Sequence, residues 1–204
     1  MNLASGRVFG EILRMKSLCV FCGSSSGKGT RYLDAARMVG RRLAEERIEL
    51  VYGGGSVGLM GAVADACLEA GGKVVGVITR QLLDLEVGHQ GCTELIVIDS
   101  MLERKNVMLE RSDAFLSLPG GIGTLDELFE MLCGSQLDLH RKPSALLDVD
   151  GYFEVLAVQL AKMVEEGFVQ QEHVAMLFVS PEFEELLTRL GDYQPTAVAK
   201  WVRG

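Results

Sequence analysis

Short apolar segments alternate with longer amphipathic segments along almost the whole of this 204-residue chain. Such an order is typical of a parallel sheet in which a helix connects each strand to the next. The apolar segments are continuous instead of alternating with polar residues, so helices should cover both faces of the sheet. The pattern therefore predicts an α/β fold: a single doubly wound, Rossmann-like domain with a parallel sheet of six to seven strands.

The boundaries of these elements follow from the apolar periodicity. Strands are predicted at residues 18–22, 49–52, 74–78, 95–98, 114–118 and 145–147, with a weaker seventh at 175–179. Helices are predicted at residues 32–46, 59–70, 101–111, 125–131, 152–166 and 181–190. Residues 1–14 precede the first strand and are expected to be a disordered extension, which leaves residues 15–204 as the folded domain.

Composition argues against two classes of partner. The chain has 20 Lys and Arg residues against 28 Asp and Glu residues, a formal charge of −8, so it should repel nucleic acids. No apolar run approaches the roughly 20 residues that cross a bilayer, and residues 1–14 lack the apolar centre of a signal peptide. We therefore expect a cytoplasmic protein without a nucleic-acid or membrane partner.

The cysteines and histidines do not predict a metal site. Five cysteines, an odd number, suit a reducing compartment better than a disulfide framework. Cys19 and Cys22 form a CxxC pair, but they lie in a predicted buried strand and no second pair completes a zinc site. The three histidines are far apart in the sequence.

Three glycine-rich segments each follow a predicted strand, at residues 23–30, 53–58 and 119–124. The carboxyl ends of parallel strands share one edge of the sheet, and ligands of such sheets bind beyond that edge. Glycine lets the backbone approach an anion closely, and helix N-termini offer unpaired amides with partial positive charge. These segments therefore predict a phosphate site.

Two well-known nucleotide motifs are not completed in these segments. The first segment is one residue shorter than a P-loop, and Lys28 is followed by glycine where that motif needs Ser or Thr. The second fits GxGxxG, but the acid that binds a dinucleotide ribose about 20 residues further on is missing. An NAD-linked oxidoreductase remains an alternative; the motif glycines are Gly53, Gly55 and Gly58.

Two adjacent cations interrupt the apolar face of the helix predicted at 101–111. Lys105 lies in the middle of the face, Arg104 borders it, and its apolar members are Met101, Leu102, Met108 and Leu109. In one interpretation the long stems cover apolar surface while the charged ends reach water. In the other, a bound phosphate or carboxylate neutralises the cations, because charge at the edge of a core is costly when unpaired.

The third glycine segment ends in Thr124-Leu-Asp-Glu127, which has the spacing of a capping box. In that interpretation Thr124 is the N-cap and Glu127 reaches back to the N-cap amide. The alternative is chemical, because this helix N-terminus is also the candidate anion site. A carboxylate here would face a bound sugar phosphate.

Several motifs together resemble one enzyme family. Residues 119–127 read Pro-Gly-Gly-Ile-Gly-Thr-Leu-Asp-Glu and fit PGGxGTxxE at every position. With residues 19–25, 51–61 and 149–152 and the Arg104–Lys105 pair, the chain resembles the LONELY GUY (LOG) family of cytokinin riboside 5′-monophosphate phosphoribohydrolases. The resemblance runs from about residue 16 to 190. Members were often labelled lysine decarboxylases, but no lysine here has an identifiable acidic partner for a pyridoxal ring nitrogen.

The resemblance implies an activity and the residues that perform it. The activity is hydrolysis of the N-glycosidic bond of a purine riboside 5′-monophosphate, of the cytokinin type or AMP, to free base and ribose 5-phosphate, without a metal or organic cofactor. The catalytic roles would fall on Arg104 and Glu127. Residues 15–204 would form the nucleotide-binding catalytic domain of a homodimer whose sites are completed across the interface. The substrate-binding residues would be Glu86, Met101, Lys105, Gly120, Gly121, Ile122, Gly123 and Thr124.

This chemistry is physically reasonable for the residues named. Cleaving the bond between ribose and base builds positive charge on the sugar, which a fixed carboxylate stabilises. Arg104 should position the phosphate or the leaving base, because a guanidinium does not give up its proton. Where many relatives have Thr-Trp, this chain has Cys133-Gly134, so the preference between AMP and a prenylated nucleotide stays open. A non-catalytic nucleotide or cofactor carrier with the same fold is the alternative.

Overall fold

The computed structural model describes residues 15–85 and 88–195, so the extension expected at 1–14 lies outside the described residues. The strands are β1 (Ser17–Phe21), β2 (Glu49–Tyr52), β3 (Val74–Thr79), β4 (Glu94–Ile98), β5 (Ala114–Ser117), β6 (Ser144–Leu147) and β7 (Leu177–Ser180). They pair in parallel into one seven-stranded sheet in the order β4-β3-β2-β1-β5-β6-β7. The predicted parallel sheet is confirmed, including its seventh strand.

Helices lie on both faces of this sheet. They are α1 (Arg31–Glu45), α2 (Gly58–Glu69), α3 (Arg80–Leu85), α4 (Met101–Glu110), α5 (Ile122–Gln136), α6 (Glu154–Glu165), α7 (Gln171–Val174) and α8 (Phe183–Gly191). Side chains of α1, α2 and α8 pack with one face, and side chains of α4, α5 and α6 pack with the other. The doubly wound fold is therefore confirmed. No helix among the described residues is long and apolar enough to cross a membrane.

The three glycine-rich segments meet at the centre of the sheet. β1 is flanked by β2 and β5. Strands β2 to β4 are added on one side of β1 and strands β5 to β7 on the other, so the strand order switches between β1 and β5. The Gly23 amide donates to the Pro119 carbonyl at 3.1 Å, and the Leu59 amide donates to the Gly23 carbonyl at 3.0 Å. The turns after β1, β2 and β5 are thus joined at the position where open α/β sheets bind ligands.

The two cysteines of the CxxC pair point to opposite faces of the sheet. Cys19 packs in the core beside Val51 and Phe115, under α4 and α5. Cys22 packs in the core on the α1 and α2 side. Their separation of three residues reverses the direction of the side chain in an extended strand. The pair therefore has the structural role that the sequence favoured, and all five cysteines of the chain are free thiols.

Helix boundaries show where sequence patterns were less informative. α5 begins at Ile122 and ends at Gln136, longer at both ends than the predicted 125–131. The prediction was too short because glycines, here at the start of α5 and at Gly134 in its interior, normally indicate the end of a helix. Ile122 is 89% exposed and so is not part of the apolar face of the helix. The helix predicted at 152–166 is confirmed as α6, which is two residues shorter at its start and is preceded by a 3-10 turn (Val149–Gly151). α3 and α7 were not predicted; each is six residues or shorter.

The backbones of α1 and α2 approach closely at Gly40. A Cβ built on Gly40 would lie 2.3 Å from the Val63 carbonyl oxygen and 3.0 Å from the Cys67 amide nitrogen. Both atoms belong to the backbone of α2, so they cannot move aside as a flexible side chain could. The packing of these two helices therefore requires glycine at position 40.

We predict that Gly40→Ala lowers the free energy of unfolding by about 1–3 kcal/mol, the range seen when a packed core is overfilled. The matched control is Gly191→Ala, because a Cβ on this helical glycine of α8 has no heavy atom within 4 Å. It should be neutral or slightly stabilising, since alanine favours helix more than glycine does. Urea unfolding of both variants measures the difference. Equal midpoints would contradict the proposed close packing.

Candidate active site

α4 turns Arg104 further into the protein interior than Lys105, whose side chain is 14% exposed. Arg104 is 7% exposed and Met108, one turn further, is fully buried. Met101 and Leu102, which were expected to form the buried stripe, are 43% and 65% exposed. The prediction that Lys105 occupies the middle of the buried face was therefore wrong. Its apolar neighbours at the start of α4 pack against little of the described chain, so they do not define the inner face.

The Arg104 guanidinium joins three parts of the fold. Its Nε donates to the Val77 carbonyl of β3 at 2.9 Å, and its Nη2 donates to the Gly53 carbonyl in the turn after β2 at 3.2 Å. Its Nη1 lies 3.3 Å from Glu127 Oε1 on α5. Nη1 also contacts the Met101 sulfur at 3.4 Å. A buried cation is tolerated because carbonyls and a carboxylate replace its water.

Glu127 lies in the second turn of α5. The N-cap of this helix is Gly121, in extended conformation, which makes Thr124 the third helical residue and Glu127 the sixth. The predicted capping box is therefore wrong, because Glu127 is one turn too far along the helix to reach the N-cap amide. The carboxylate instead pairs with Arg104, and its side chain retains 13% exposure. The carboxylate is therefore not turned out to solvent.

Lys105 is also neutralised by α5. Its Nζ lies 3.3 Å from Asp126 Oδ2 and forms a short contact with Glu130 Oε2. These carboxylates, Glu130 foremost, raise the pKa of the Lys105 ammonium above its usual value. The two adjacent cations of α4 thus pair with carboxylates of the protein itself. A bound anion is not needed to compensate them, which corrects that part of the sequence interpretation.

The glycines of the PGGxGT segment differ in what surrounds them. A Cβ on Gly120 would lie 2.1 Å from Thr124 Oγ1 and 2.8 Å from the Gly23 amide nitrogen, so packing within the protein requires glycine there. A Cβ on Gly121 or Gly123 would have no heavy atom within 4 Å. Open space therefore lies beside the first amides of α5. Those amides have no partner within the helix and can bind an anion.

A cleft of about 280 Å³ opens between the turns after β1 and β5. Its walls include Ser24, Ser25 and Gly121, with the rings of Tyr32 and Tyr152 packed edge to face at 5.7 Å between centroids. Arg104 and Glu127 are not part of its lining. They are carried by α4 and α5, whose side chains pack with the face of the sheet opposite to α1 and α2.

Tyr152 was not assigned a role from the sequence, although it ends one of the matching motifs. Its hydroxyl donates a short hydrogen bond to the Gly120 carbonyl. The residue follows the 3-10 turn after β6, and this bond ties that turn to the PGGxGT segment. Only its place in the motif pointed to Tyr152. The acceptor on Gly120 is a backbone atom, which sequence patterns do not reveal.

The thiol of Cys22 lies near the Glu127 carboxylate at the end of β1. Burial and then the negative charge of Glu127 raise the pKa of this thiol well above its usual value. Cys22 is therefore an uncharged, apolar neighbour of the carboxylate. Among residues 15–85 and 88–195 no three His, Cys, Asp or Glu side chains are grouped as metal ligands.

Three remaining positions, Glu86, Cys133 and Gly134, have different outcomes. Glu86 lies outside the described residues. Gly134 lies within α5, where a Cβ would come 2.9 Å from the ring of His140, and Cys133 is exposed. A larger side chain at 134 would thus meet His140 before reaching open space.

Comparison with known proteins extends this picture. A family model described as "Possible lysine decarboxylase" matches residues 60–190. The cytokinin riboside 5′-monophosphate phosphoribohydrolase LOG5 of Arabidopsis thaliana is 46% identical over 182 residues, covering 89% of this chain and 80% of that protein. LOG7 of the same plant, with the same enzyme name, is 46% identical over 182 residues, covering 89% of this chain and 84% of that protein.

Among solved structures, the molybdenum cofactor binding protein of Rippkaea orientalis superposes with a TM-score of 0.65. It is 21% identical in sequence, and the match covers 86% of this chain and 95% of that chain. At this identity the likeness shows a shared fold alone. The sequence relatives are much closer and cover most of both chains, so the chain belongs to the LOG family of cytokinin riboside 5′-monophosphate phosphoribohydrolases.

Proposed function

We propose that this protein hydrolyses the N-glycosidic bond of a purine riboside 5′-monophosphate, either a cytokinin-type nucleotide or AMP. Water supplies a hydroxyl to the anomeric carbon and a proton to the base, so the products are free base and ribose 5-phosphate. The names of the LOG relatives support this reaction. The observation in the fold that carries it is the Glu127 carboxylate, held by the buried Arg104 beside the N-terminus of α5.

Glu127 would stabilise the positive charge that develops on the ribose as the bond to the base breaks. A carboxylate is most effective when it is fixed and poorly solvated, because a low local dielectric strengthens its field. Glu127 meets both conditions, since its side chain is 13% exposed and Arg104 Nη1 lies 3.3 Å from Oε1. Arg104 would fix this carboxylate in place, in addition to any contact with the leaving base.

The substrate phosphate would bind at the first amides of α5. Open space lies beside Gly121 and Gly123, and the N-terminal amides carry partial positive charge. Phosphate binding there would orient the sugar over Glu127, one turn and a half along the same helix. Remote binding energy would then contribute to the chemical step. We place Thr124, Ile122, Met101, Lys105 and Glu86 around the same nucleotide.

A non-catalytic carrier is the second candidate, because the fold is shared with a molybdenum cofactor binding protein. A carrier needs the glycine turns and the 280 Å³ cleft, but it does not need a buried carboxylate paired with a buried guanidinium. The Arg104–Glu127 pair costs desolvation energy that binding alone does not require. Incubating the purified protein with AMP or an isopentenyl derivative and assaying free base separates the two functions.

We further propose that residues 15–204 act as one catalytic domain in a homodimer that completes its sites across the interface. An exposed apolar stripe supports this proposal. It begins at Tyr152, whose hydroxyl bonds to the Gly120 carbonyl. It continues along α6 through Val155 and Val158, which are 81% and 70% exposed. Such a stripe is typical of a protein interface. The five free thiols suit the cytoplasm, where we expect the protein to act.

We predict that Glu127→Gln lowers kcat by about 100-fold to 1000-fold, because the amide keeps the shape but loses the charge that faces the sugar. It should also lower stability by about 3 kcal/mol, since a buried guanidinium loses its counter-ion. Base release and urea unfolding measure the two effects on the same preparation.

The control for that variant is Glu103→Gln, an exposed acid that neighbours Arg104 in the sequence. It removes the same charge without touching the ion pair, so both activity and stability should stay near those of the unchanged protein. Full turnover by folded Glu127→Gln would remove Glu127 from the mechanism.

We predict that Gly121→Ala and Gly123→Ala raise KM about tenfold or more while leaving the unfolding midpoint nearly unchanged. A methyl group at either position has room in the protein but would occupy the space proposed for the phosphate. Gly120→Ala should instead destabilise the fold, because its Cβ would collide with Thr124. If Gly121→Ala and Gly123→Ala both leave KM and the affinity for ribose 5-phosphate unaltered, the phosphate site must lie elsewhere.

We predict that Val158→Asp converts a dimer into monomers and lowers activity, because it places a charge in the apolar stripe. Ala157→Asp is the matched control, since it adds the same charge to an exposed position of α6 off the stripe. Sedimentation velocity measures the association state. A monomeric unchanged protein with full activity would overturn the proposed shared sites.

A further inference from the structure

Asp65 and His89 form a hydrogen-bonded pair outside the candidate active site. Asp65 is on the exposed side of α2, and His89 is buried in the segment that follows α3. His89 Nε2 lies 2.9 Å from Asp65 Oδ1, and the Gly91 amide donates to His89 Nδ1 at 3.1 Å. Because Nδ1 accepts, the proton is on Nε2, which donates to the carboxylate. Both ring nitrogens are therefore used to fix the segment at 88–91.

This segment is bonded through its backbone to the glycine turn after β2. The His89 amide donates to the Gly54 carbonyl at 2.9 Å, and Gly88 forms an isolated antiparallel bridge with Gly55. Two residues of the turn are therefore held by the segment that His89 anchors. A second link lies beside them, where the Tyr52 hydroxyl and Cys92 Sγ are 3.4 Å apart.

The same turn supplies one of the acceptors of Arg104. The Gly53 carbonyl accepts from Arg104 Nη2, and a Cβ on Gly53 would lie 2.2 Å from that nitrogen. The guanidinium is thus packed directly on the turn. A shift of the turn would move Arg104 or remove one of its bonds, and Glu127 would lose a fixed partner.

Three consecutive glycines cannot hold such a geometry by themselves. Glycine has the widest range of backbone conformations, and Gly54 adopts a positive φ of 77°. Residues 53–55 therefore need an external restraint to keep the Gly53 carbonyl aimed at Arg104. The segment at 88–91 supplies this restraint, because it is bonded to Gly54 and to Gly55.

We propose that Asp65 and His89 are positioning residues that hold the 53–55 turn in the conformation that orients Arg104, and through it Glu127. They would act on Arg104 through the backbone of the turn, which bonds to the 88–91 segment and supplies the Gly53 carbonyl. The proposal rests on the proposed function for its effect on turnover, but its effect on the geometry of Arg104 does not depend on that function.

The test compares Asp65→Ala and Asp65→Asn in the full chain, with purine riboside monophosphate as substrate. Asp65→Ala should lower kcat roughly tenfold, because small displacements of catalytic groups are costly, and should leave KM within about twofold. Asp65→Asn should restore most of the rate, since its carboxamide oxygen still accepts from His89 Nε2. Glu69→Ala, an exposed acid near the end of α2, is the control and should change neither value.

A second measurement separates this proposal from the proposed function. In ¹⁵N spectra, the Arg104 Nε–H resonance and the Gly54 and Gly55 amides report the geometry whether or not the protein releases base. Asp65→Ala should shift the Arg104 resonance and broaden both glycine amides, and Asp65→Asn should not. If Asp65→Ala changes neither the Arg104 resonance nor kcat, the proposal is overturned. It is also overturned if Asp65→Ala and Asp65→Asn lose activity equally and in proportion to their loss of thermal stability. Absence of base release by the unchanged protein would reject the function alone, and the spectra would still decide the positioning role.

Discussion

A single buried guanidinium joins the elements that make this site. Arg104 comes from α4, and it binds a carbonyl at β3, a carbonyl in the turn after β2 and a carboxylate on α5. Removing such a group from water costs several kcal/mol, so the charge is stable only where all of its partners are in place. The position of Glu127 and the conformation of the turn after β2 therefore depend on the same guanidinium. A change in the position of one should alter the position of the other.

In the proposed mechanism α5 would have two roles, at different positions along its length. Its first amides face the open space beside Gly121 and Gly123, where an anion can bind. Its sixth residue, Glu127, places a carboxylate about one turn and a half below them. A helix rises 1.5 Å per residue, so the spacing between a phosphate and a sugar carbon can be matched along one rigid element. Binding and chemistry then need no loop movement to come together.

The sequence predicted the sheet and the meeting of its glycine turns because both follow from apolar periodicity and parallel topology. It did not predict which of two adjacent cations turns inward, since Arg104 and Lys105 differ by only about 100° around α4. The partner of Arg104 is 23 positions away on another helix, and its other acceptors are backbone carbonyls. The start of α5 was misplaced for a related reason: Ile122 is exposed, and glycines normally end helices.

The local charge balance decides how a phosphate could be attracted to this site. Arg104 and Lys105 supply two positive charges, and Asp126, Glu127 and Glu130 supply three negative ones, all within ion-pair distance. The side chains therefore leave a net negative charge, which opposes an anion and favours a cationic sugar. The attraction for phosphate must then come from the backbone amides at the start of α5. Such dipoles act only over short distances, so the phosphate would be held at the turn while the negative charge further along the helix acts on the ribose.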